Sequence, residues 1–395
     1  NTVLVEARPF VGGNATTGLC LHTFLTKMGR QVVFGLAQTM VDRLIQMGGA
    51  VGHIPFHSFV HSVTPVDADL FRICATQLLD EAGVRVLYGV NVIGTDADNG
   101  FVRGVKLGIK GGVRTIRAKT YVDASGDADV AVLSGAPFRK GHEQTGKMQP
   151  VSMILRCFGT DNRAVADAIA VSPPAMATRP DYPNPFPVYF NGTFSQWNDI
   201  VLEKGIFSNK DHKVFFNTVW PNQLNVNTSA VFGIDGTDPQ ELSRATVKLT
   251  QKLYEIGQFL KQYVPGFERA HFIPSAFAGI RESRNIKGLY EITEEDIRTG
   301  RKFPDTVGQA CFPVDIHDPD TGQAVFHPIG DDGAFDIPYR ALVPQGLENV
   351  IVAGRCISAT HFAHGATRNH APCLVTGESA GVAAALSAKQ GASFP

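Results

Sequence analysis

The chain opens with an apolar run that closes on one acidic residue. Residues 3–5 are apolar, Glu6 follows them, and Gly12 and Gly13 come shortly afterwards. An unbroken apolar run indicates a strand that is buried on both faces of a parallel sheet. Because the carboxyl ends of such strands meet at one edge of the sheet, the pattern predicts that Glu6 faces a ligand there.

Apolar residues at helical spacing predict helices in three other stretches. One covers residues 31–47, a second runs from Asp67 to Gly83, and the third and longest covers residues 239–263. The side chain of Asp67 is suited to cap the free N–H groups of the second helix. Residues 51–66 show no period, which predicts a loop or short irregular strands.

Alternating apolar and polar residues then predict a strand and a three-stranded meander. The predicted strands cover residues 84–88, 90–96, 101–109 and 113–118, and another strand ends in the small-residue turn Ala124–Asp127. Near the other end of the chain, a buried strand at 349–353 breaks on Gly354. A helix of small residues follows, with Pro372 in its first turn, where proline is well tolerated.

The composition changes between residues 141 and 339, where proline clusters and aromatic residues accumulate around the long helix. We therefore expect an inserted domain at 141–339. Residues 1–140 and 340–395 would then form one discontinuous domain. The acidic stretch 315–322 invites a calcium loop, but it lacks the distal glutamate and the spacing of an EF-hand, so a proline and glycine turn is favoured.

Composition narrows the classes of partner. The formal net charge is -1, so the chain has no basic footprint for nucleic acid, and a small-molecule substrate is expected. The 6 cysteines form no Cys-x-x-Cys pair, so no metal is expected. No apolar run reaches the ~18 residues that cross a bilayer, so no membrane span and a cytoplasmic location are expected.

Three segments resemble one enzyme family. Val-Leu-Val-Glu-Ala-Arg at 3–8 with Gly-Gly-Asn-Ala-Thr at 12–16 resembles the second strand and following loop of FAD-dependent oxidoreductases with the glutathione-reductase-type fold. Residues 350–368 resemble the C-terminal signature of that group, and residues 278–284 resemble a stretch between the two. The family's first strand, Gly-x-Gly-x-x-Gly turn and first helix, about 30 residues, do not stand before the acidic residue. We therefore expect an N-terminal truncation and weak retention of FAD.

The resemblance implies an α/β fold, in which a Rossmann-like FAD-binding domain with a β-meander carries an inserted α+β substrate domain. It also implies which residues contact FAD, with Glu6 on the adenosine ribose and glycine turns against the phosphates and ribityl chain. The implied cofactor-binding residues are Glu6, Ala7, Arg8, Gly12, Gly13, Asn14, Thr16, Gly18, Val92, Ala124, Ser125, Gly126, Asp127, Gly354, Arg355, Pro372 and Cys373.

Histidines and arginines in the same segments are the candidates for handling substrate. These are His361, His364, Arg281, Arg284 and Arg368. A neutral imidazole can take a proton near neutral pH, and a guanidinium can bind a carboxylate through two hydrogen bonds. Two simpler interpretations stay open, namely an ion pair between Arg281 and Glu282, and a capping role for His364.

The expected function is an FAD-dependent oxidoreductase that transfers hydride between a small organic substrate and flavin N5. Two alternatives remain. The chain could be a flavin-bearing subunit that passes electrons to a partner protein, or an inactive fragment that lacks the glycine-rich phosphate turn.

Overall fold

The computed structural model describes residues 1–169, 176–179, 182–207, 209–317 and 324–394. Its helices are α1 (Gly35–Gln46), α2 (Ala68–Glu81), α3 (Asp129–Leu133), α4 (Asn162–Ala168), α5 (Asn198–Glu203), α6 (Pro239–Tyr263), α7 (Glu294–Thr299), α8 (His361–Thr367) and α9 (His370–Gln390). Its strands are β1 (Val3–Glu6), β2 (Leu21–His22), β3 (Ile54–Pro55), β4 (Ser62–Thr64), β5 (Arg85–Tyr88), β6 (Asn91–Asp98), β7 (Phe101–Ile109), β8 (Gly112–Ile116), β9 (Tyr121–Asp123), β10 (Phe138–Lys140), β11 (Val151–Ser152), β12 (Leu155–Phe158), β13 (Met176–Arg179), β14 (Phe186–Thr193), β15 (Lys213–Asn217), β16 (Gln223–Asn227), β17 (His271–Pro274), β18 (Gly279–Ile280), β19 (Arg284–Ile286), β20 (Thr306–Ala310), β21 (Val314–His317), β22 (Ala324–His327), β23 (Phe335–Pro338) and β24 (Val350–Val352).

Two parallel strand pairs come from distant parts of the chain. Strand β1 pairs with β5, which places Glu6 opposite Tyr88, and β24 pairs with β9, which places Val352 opposite Asp123. Val5 on β1 packs against the hydrophobic cluster that contains the whole of β24. The predicted strand that closes on Glu6 is confirmed, and so is the α/β class.

The predicted meander is confirmed, with β6, β7 and β8 in sequential antiparallel order. Its first hairpin turns at Asn99 and Gly100, both of which have a left-handed backbone, with φ of 48° and 82°. That pair of conformations matches the right-handed twist of the flanking strands.

A six-stranded sheet lies in the middle of the chain, in the order β13-β14-β15-β16-β12-β17. The apolar face of α6 covers it, because Leu249, Leu253 and Ile256 are buried in the same cluster as Phe190 and Phe216 of the sheet. Fully burying one such side chain stabilises the fold by about 1.5–3 kcal/mol. The predicted helix at 239–263 is confirmed residue for residue.

The division into domains stays a prediction, and the packing bears on its second boundary. Cluster residues between 151 and 280 pack among themselves. Residues Ile286, Ile297 and Ile337, however, pack with Val350 and Ile357. The stretch after Ile286 therefore shares a hydrophobic core with the elements that return at the end of the chain.

Two predicted elements differ in detail. Helix α1 begins at Gly35 rather than at residue 31, because Phe34 is extended and Gly35 has a left-handed φ of 64°, while Val33 is buried in the core. The turn predicted at 315–322 begins as strand β21, which pairs with β22, and residues 318–323 lie outside the described part of the chain. Across the residues that the structure describes, no helix combines the length and the apolar character needed to cross a bilayer.

Candidate active site

At the end of strand β1, one of the two carboxylate oxygens of Glu6 accepts a hydrogen bond. The N–H of Arg8 donates to Glu6 Oε1 at 2.9 Å, and Glu6 Oε2 accepts no hydrogen bond within the described part of the chain. The guanidinium of Arg8 lies over the ring of Phe277, with Cζ 3.4 Å from the ring centroid. Burial lowers the pKa of Arg8, Glu6 raises it, and Arg355 lowers it further. Arg8 therefore lies close to Arg355, which stands three residues after the end of β24.

The loop after β1 is tightly wound and anchored. Gly12 has φ of 113°, and a Cβ there would lie 2.6 Å from the methyl group of Thr16, so only glycine suits this position. The 3-10 helix Gly13–Thr17 follows, and the Thr16 hydroxyl donates back to the Gly13 carbonyl at 2.7 Å. The Asn217 side chain donates to the carbonyl of Gly18 at 2.9 Å, which ties this loop to the six-stranded sheet.

The turn after β9 is organised by carboxylates. Asp123 Oδ1 accepts from the N–H and the hydroxyl of Ser125, at 3.1 and 2.7 Å. Asp127 Oδ1 accepts from Arg355 Nη2 at 2.8 Å and from the Ser283 hydroxyl. Arg284 Nε donates to the Asp127 carbonyl at 2.6 Å, and its Nη2 pairs with Asp129.

Arg284 is thus engaged in holding the turn. Two of its nitrogen atoms already have protein partners, and its expected contact with substrate stays a prediction. Gly126 has φ of 78°, and a Cβ there would lie 3.0 Å from Arg355 Nη2, so glycine suits this turn.

Other predicted residues are distributed around these turns. Ala7, Ala124 and Ser125 are exposed beside the two strand ends. Val92 on β6 packs against the hydrophobic cluster of β24. Burial raises the pKa of the Cys373 thiol to about 12, and the thiol donates to the Arg368 carbonyl at 3.3 Å.

The junction of α8 and α9 carries buried polar atoms without hydrogen-bond partners among the described residues. They are both ring nitrogens of His364, Thr367 Oγ1, Arg368 Nε and His370 Nδ1. The N-terminus of α9 also has no side-chain cap. Buried polar groups are normally paired, so this concentration indicates that a ligand completes the junction. The ring of His364 is neutral, because burial and then Arg368 and Arg355 hold its pKa well below the usual value.

A buried glutamate and a histidine form the most ordered pair in the region. Glu282 Oε1 lies 2.9 Å from His361 Nδ1, and the Glu282 side chain is 0% exposed. Glu282 Oε2 accepts from the N–H of Gln149 at 2.9 Å. The predicted ion pair between Arg281 and Glu282 does not form among the described contacts, since Glu282 uses its two oxygens elsewhere.

Two arginines face one carboxylate beside that pair. Arg368 Nη2 donates to Asp315 Oδ2 at 3.0 Å, and Arg281 Nη1 donates to the Pro150 carbonyl at 3.1 Å and to the Ser152 hydroxyl at 2.9 Å. Burial and then Arg368 lower the pKa of Arg281 to about 10, so Arg281 remains charged at neutral pH. Burial alone would raise the pKa of Asp315, but the neighbouring His317, Arg368 and Arg281 lower it below its usual value.

Gln149 links the pair of Glu282 and His361 to the groups around Asp315. Its N–H binds Glu282, and its Oε1 accepts from the N–H of His317 at 2.8 Å. Sequence reasoning missed Gln149 and considered Asp315 and His317 only as part of a calcium loop or turn. It gave Glu282 no role other than an ion pair with Arg281. The contact between Gln149 and Glu282 joins positions 133 residues apart, so no local pattern announces it.

These features define a class of protein. Parallel strands end in a carboxylate and in glycine turns, and they meet an uncapped helix of 21 residues. That is the arrangement of a dinucleotide-binding oxidoreductase. The family model described as FAD dependent oxidoreductase matches residues 1–394, and the chain belongs to that family. It is accordingly an FAD-dependent enzyme.

Solved structures show distant similarity. The p-nitrophenol 4-monooxygenase of Pseudomonas putida is 10% identical with a TM-score of 0.46, covering 99% of this chain and 74% of that one. A geranylgeranyl bacteriochlorophyll reductase-like protein of Thermoplasma acidophilum is 11% identical with a TM-score of 0.43, covering 99% and 79%. The myxobacterial chondrochloren halogenase is 13% identical with a TM-score of 0.45, covering 98% and 69%. A search among curated proteins found no match.

The described residues fit FAD. Glu6 Oε2 is a free acceptor of the kind that a ribose hydroxyl requires. Arg8 and Arg355 bring positive charge to the two strand ends, which suits a diphosphate. Proline has no N–H, so the uncapped start of α9 offers the N–H groups of His370 and Ala371 to an electron-rich ring edge.

Proposed function

We propose that this protein oxidises or reduces a small organic molecule by hydride transfer, and that His361 accepts or donates the accompanying proton. When bound, FAD supplies the hydride acceptor or donor at its N5 atom. The observation that carries the proposal is the buried pair of Glu282 and His361, at 2.9 Å, beside the unpartnered polar atoms of α8 and α9.

The role of His361 follows from its two ring nitrogens. Glu282 accepts the hydrogen of Nδ1, which fixes the tautomer and leaves the lone pair of Nε2 free to take a proton. The carboxylate also stabilises the imidazolium that forms, as in other carboxylate and histidine pairs. The backbone N–H of His361 donates to Glu143 Oε1 at 2.7 Å, so the start of α8 is held from a second side.

Arg281 and Arg368 are proposed to orient the substrate and to stabilise negative charge that develops during the reaction. Arg281 is partly exposed and bonds only neutral acceptors among the described residues. Arg284 is proposed to hold the turn at Asp127 instead, because its donors are already engaged.

The cofactor is proposed to lie across the ends of β1, β9 and β24. Glu6 would accept from the adenosine ribose, and Arg8 with Arg355 would neutralise the diphosphate. The start of α9 would stabilise negative charge on the flavin ring through its dipole and free N–H groups. The six-stranded sheet and α6 are proposed as the core of the inserted substrate domain.

Anaerobic reduction by small organic substrates tests the proposal. The protein is saturated with FAD, a panel of alcohols, amines and acids is added, and the loss of flavin absorbance is followed with no partner protein present. We expect at least one class to reduce the flavin. If the panel fails while an added protein acceptor or donor exchanges electrons rapidly, the chain is an electron-transfer subunit and the proposal is wrong.

A further inference from the structure

The guanidinium groups of Arg281 and Arg368 bring more positive charge to the region around Asp315 than that one carboxylate balances. Asp315 lies near both guanidiniums, and of the two it pairs with Arg368, at 3.0 Å. Within the described part of the chain, Arg281 donates through Nη1 alone, and Arg368 Nε is buried without a partner. Donors therefore remain unused on both guanidiniums.

The surrounding histidines do not alter this balance. Burial lowers the pKa of His317 and of His22 to about 3, and that of His370 to about 4, so all three rings are neutral at neutral pH. Burial also raises the pKa of the Tyr189 phenol well above its usual value, which keeps the hydroxyl protonated. Arg281, Arg368 and Asp315 together carry one positive charge. The neighbouring Glu282 carboxylate is engaged with His361 and Gln149.

An uncompensated charge in a poorly hydrated site destabilises the fold. A single carboxylate cancels it, whereas a phosphate dianion would reverse it. Guanidinium groups also match the planar, two-oxygen geometry of a carboxylate. A separate pair of arginines, Arg8 and Arg355, lies at the strand ends and is suited to the cofactor diphosphate.

Aromatic groups lie near Asp315. His22 bonds the Tyr189 hydroxyl at 3.2 Å and lies edge-on to its ring, and the Phe312 ring centroid is 5.9 Å from that of His22. His22 and Tyr189 both lie close enough to Asp315 for its charge to influence their pKa values.

We propose that the substrate is a monocarboxylic acid whose carboxylate binds between Arg281 and Arg368, with an apolar or aromatic remainder directed toward His22. This inference deepens the proposed function and rests on it for the reaction that follows binding. The binding itself can be tested without turnover.

Calorimetry on the FAD-saturated protein compares acids with their neutral amides, using benzoate with benzamide and acetate with acetamide. We expect at least one acid to bind about tenfold or more tightly than its amide. The dianion phthalate should bind no more tightly than benzoate. Equal affinity for acid and amide in both pairs would refute the proposal.

The variant Arg281→Gln removes one guanidinium and should weaken binding of the preferred acid by about tenfold to a hundredfold, with FAD affinity unchanged. Arg244→Gln, at an exposed arginine on α6, is the matched control and should change nothing. If Arg281→Gln does not fold, Arg281→Lys retains the charge without the two-pronged geometry and should weaken binding several-fold.

Unchanged acid affinity in the folded Arg281 variant would overturn the inference, and so would a parallel loss of FAD affinity, because Arg281 would then serve the cofactor. A failure of the hydride-transfer proposal is seen in the flavin absorbance and not in the binding measurement. An acid that binds selectively but never reduces the flavin would refute the reaction while leaving the carboxylate site in place.

Discussion

His361 Nδ1 lies 2.9 Å from Glu282 Oε1, although 79 residues separate the two positions in the chain. Glu282 precedes β19 and His361 begins α8, so the pair joins two elements that sequence reasoning treated separately. Because Glu282 is fully buried and its other oxygen binds Gln149, it has little freedom to turn away. The ring of His361 is therefore held in one orientation.

Replacing this histidine should abolish most of the proton transfer. In His361→Gln, reduction of bound FAD by the best substrate of the panel should slow by about 10²–10⁴-fold, which is the usual contribution of a general base. Stopped-flow absorbance of the flavin measures the rate. His271→Gln, at an exposed histidine on β17, is the control. A rate within about twofold of the parent would show that His361 is not the base.

Glu282→Gln should slow the reduction of FAD less than His361→Gln does. The single amide oxygen can accept from Nδ1 only if the amide NH2 faces the N–H of Gln149, and the neutral amide does not stabilise the imidazolium. We expect the rate to fall and the apparent pKa of its pH profile to move downward. A lower rate with an unmoved profile would indicate a purely structural role for Glu282.

The carboxylate at the end of β1 should govern FAD affinity. Glu6→Gln keeps an acceptor for the N–H of Arg8 but removes the charge offered to the ribose, so FAD should bind about tenfold to a hundredfold more weakly. Fluorescence titration of the apoprotein with FAD measures this. Glu255→Gln, at an exposed glutamate on α6, should leave the affinity unchanged. Equal affinity in the two variants would contradict the assignment of Glu6.

Mild acid should destabilise the fold through buried histidines. The pKa of His317 is about 3 in the folded chain against 6.5 for the free side chain. Between those values the unfolded chain binds more protons, so stability rises with pH and is lost as pH falls below about 6.5. The upper limit is about 1.4 kcal/mol per pH unit for each such histidine.

Urea unfolding at about pH 7 and about pH 5 measures this loss. His317→Gln should flatten the dependence, whereas His271→Gln should not. Carboxylates with lowered pKa values, such as Asp315 and Asp235, act with the same sign but only below their usual range near 3.8. A parent protein equally stable at both pH values would contradict the prediction.

Asp67 should matter beyond its role as a helix cap. Its Oδ1 accepts from two N–H groups at the start of α2, and its Oδ2 accepts from Trp220 Nε1 at 2.8 Å. Asp67→Ala should cost about 2–4 kcal/mol, because it removes the cap and leaves a part-buried indole N–H without its carboxylate partner.

The control Asp161→Ala removes only a cap, at the start of α4, and should cost about 0.5–2 kcal/mol. Denaturant unfolding of both variants gives the difference. Equal losses would show that the bond to Trp220 contributes nothing to stability.

The sequence by itself determined the local elements. The apolar run ending on Glu6, the meander with its turn at Asn99 and Gly100, the helix capped by Asp67 and the long helix α6 all depend on residues close together in the chain. Periodicity and capping act over a few residues, so one sequence is enough to show them.

Tertiary structure decided which charged groups meet. The chain contains many arginines and carboxylates, and no local pattern selects Asp127 as the partner of Arg355, or Asp315 as the partner of Arg368. Those pairings depend on how the strand pairs, α8 and the six-stranded sheet pack around shared cores. The same packing desolvates the histidines and, among the residues that the structure describes, gives Arg281 no carboxylate partner. Burial and charge balance depend on the folded neighbourhood and not on any single stretch of sequence.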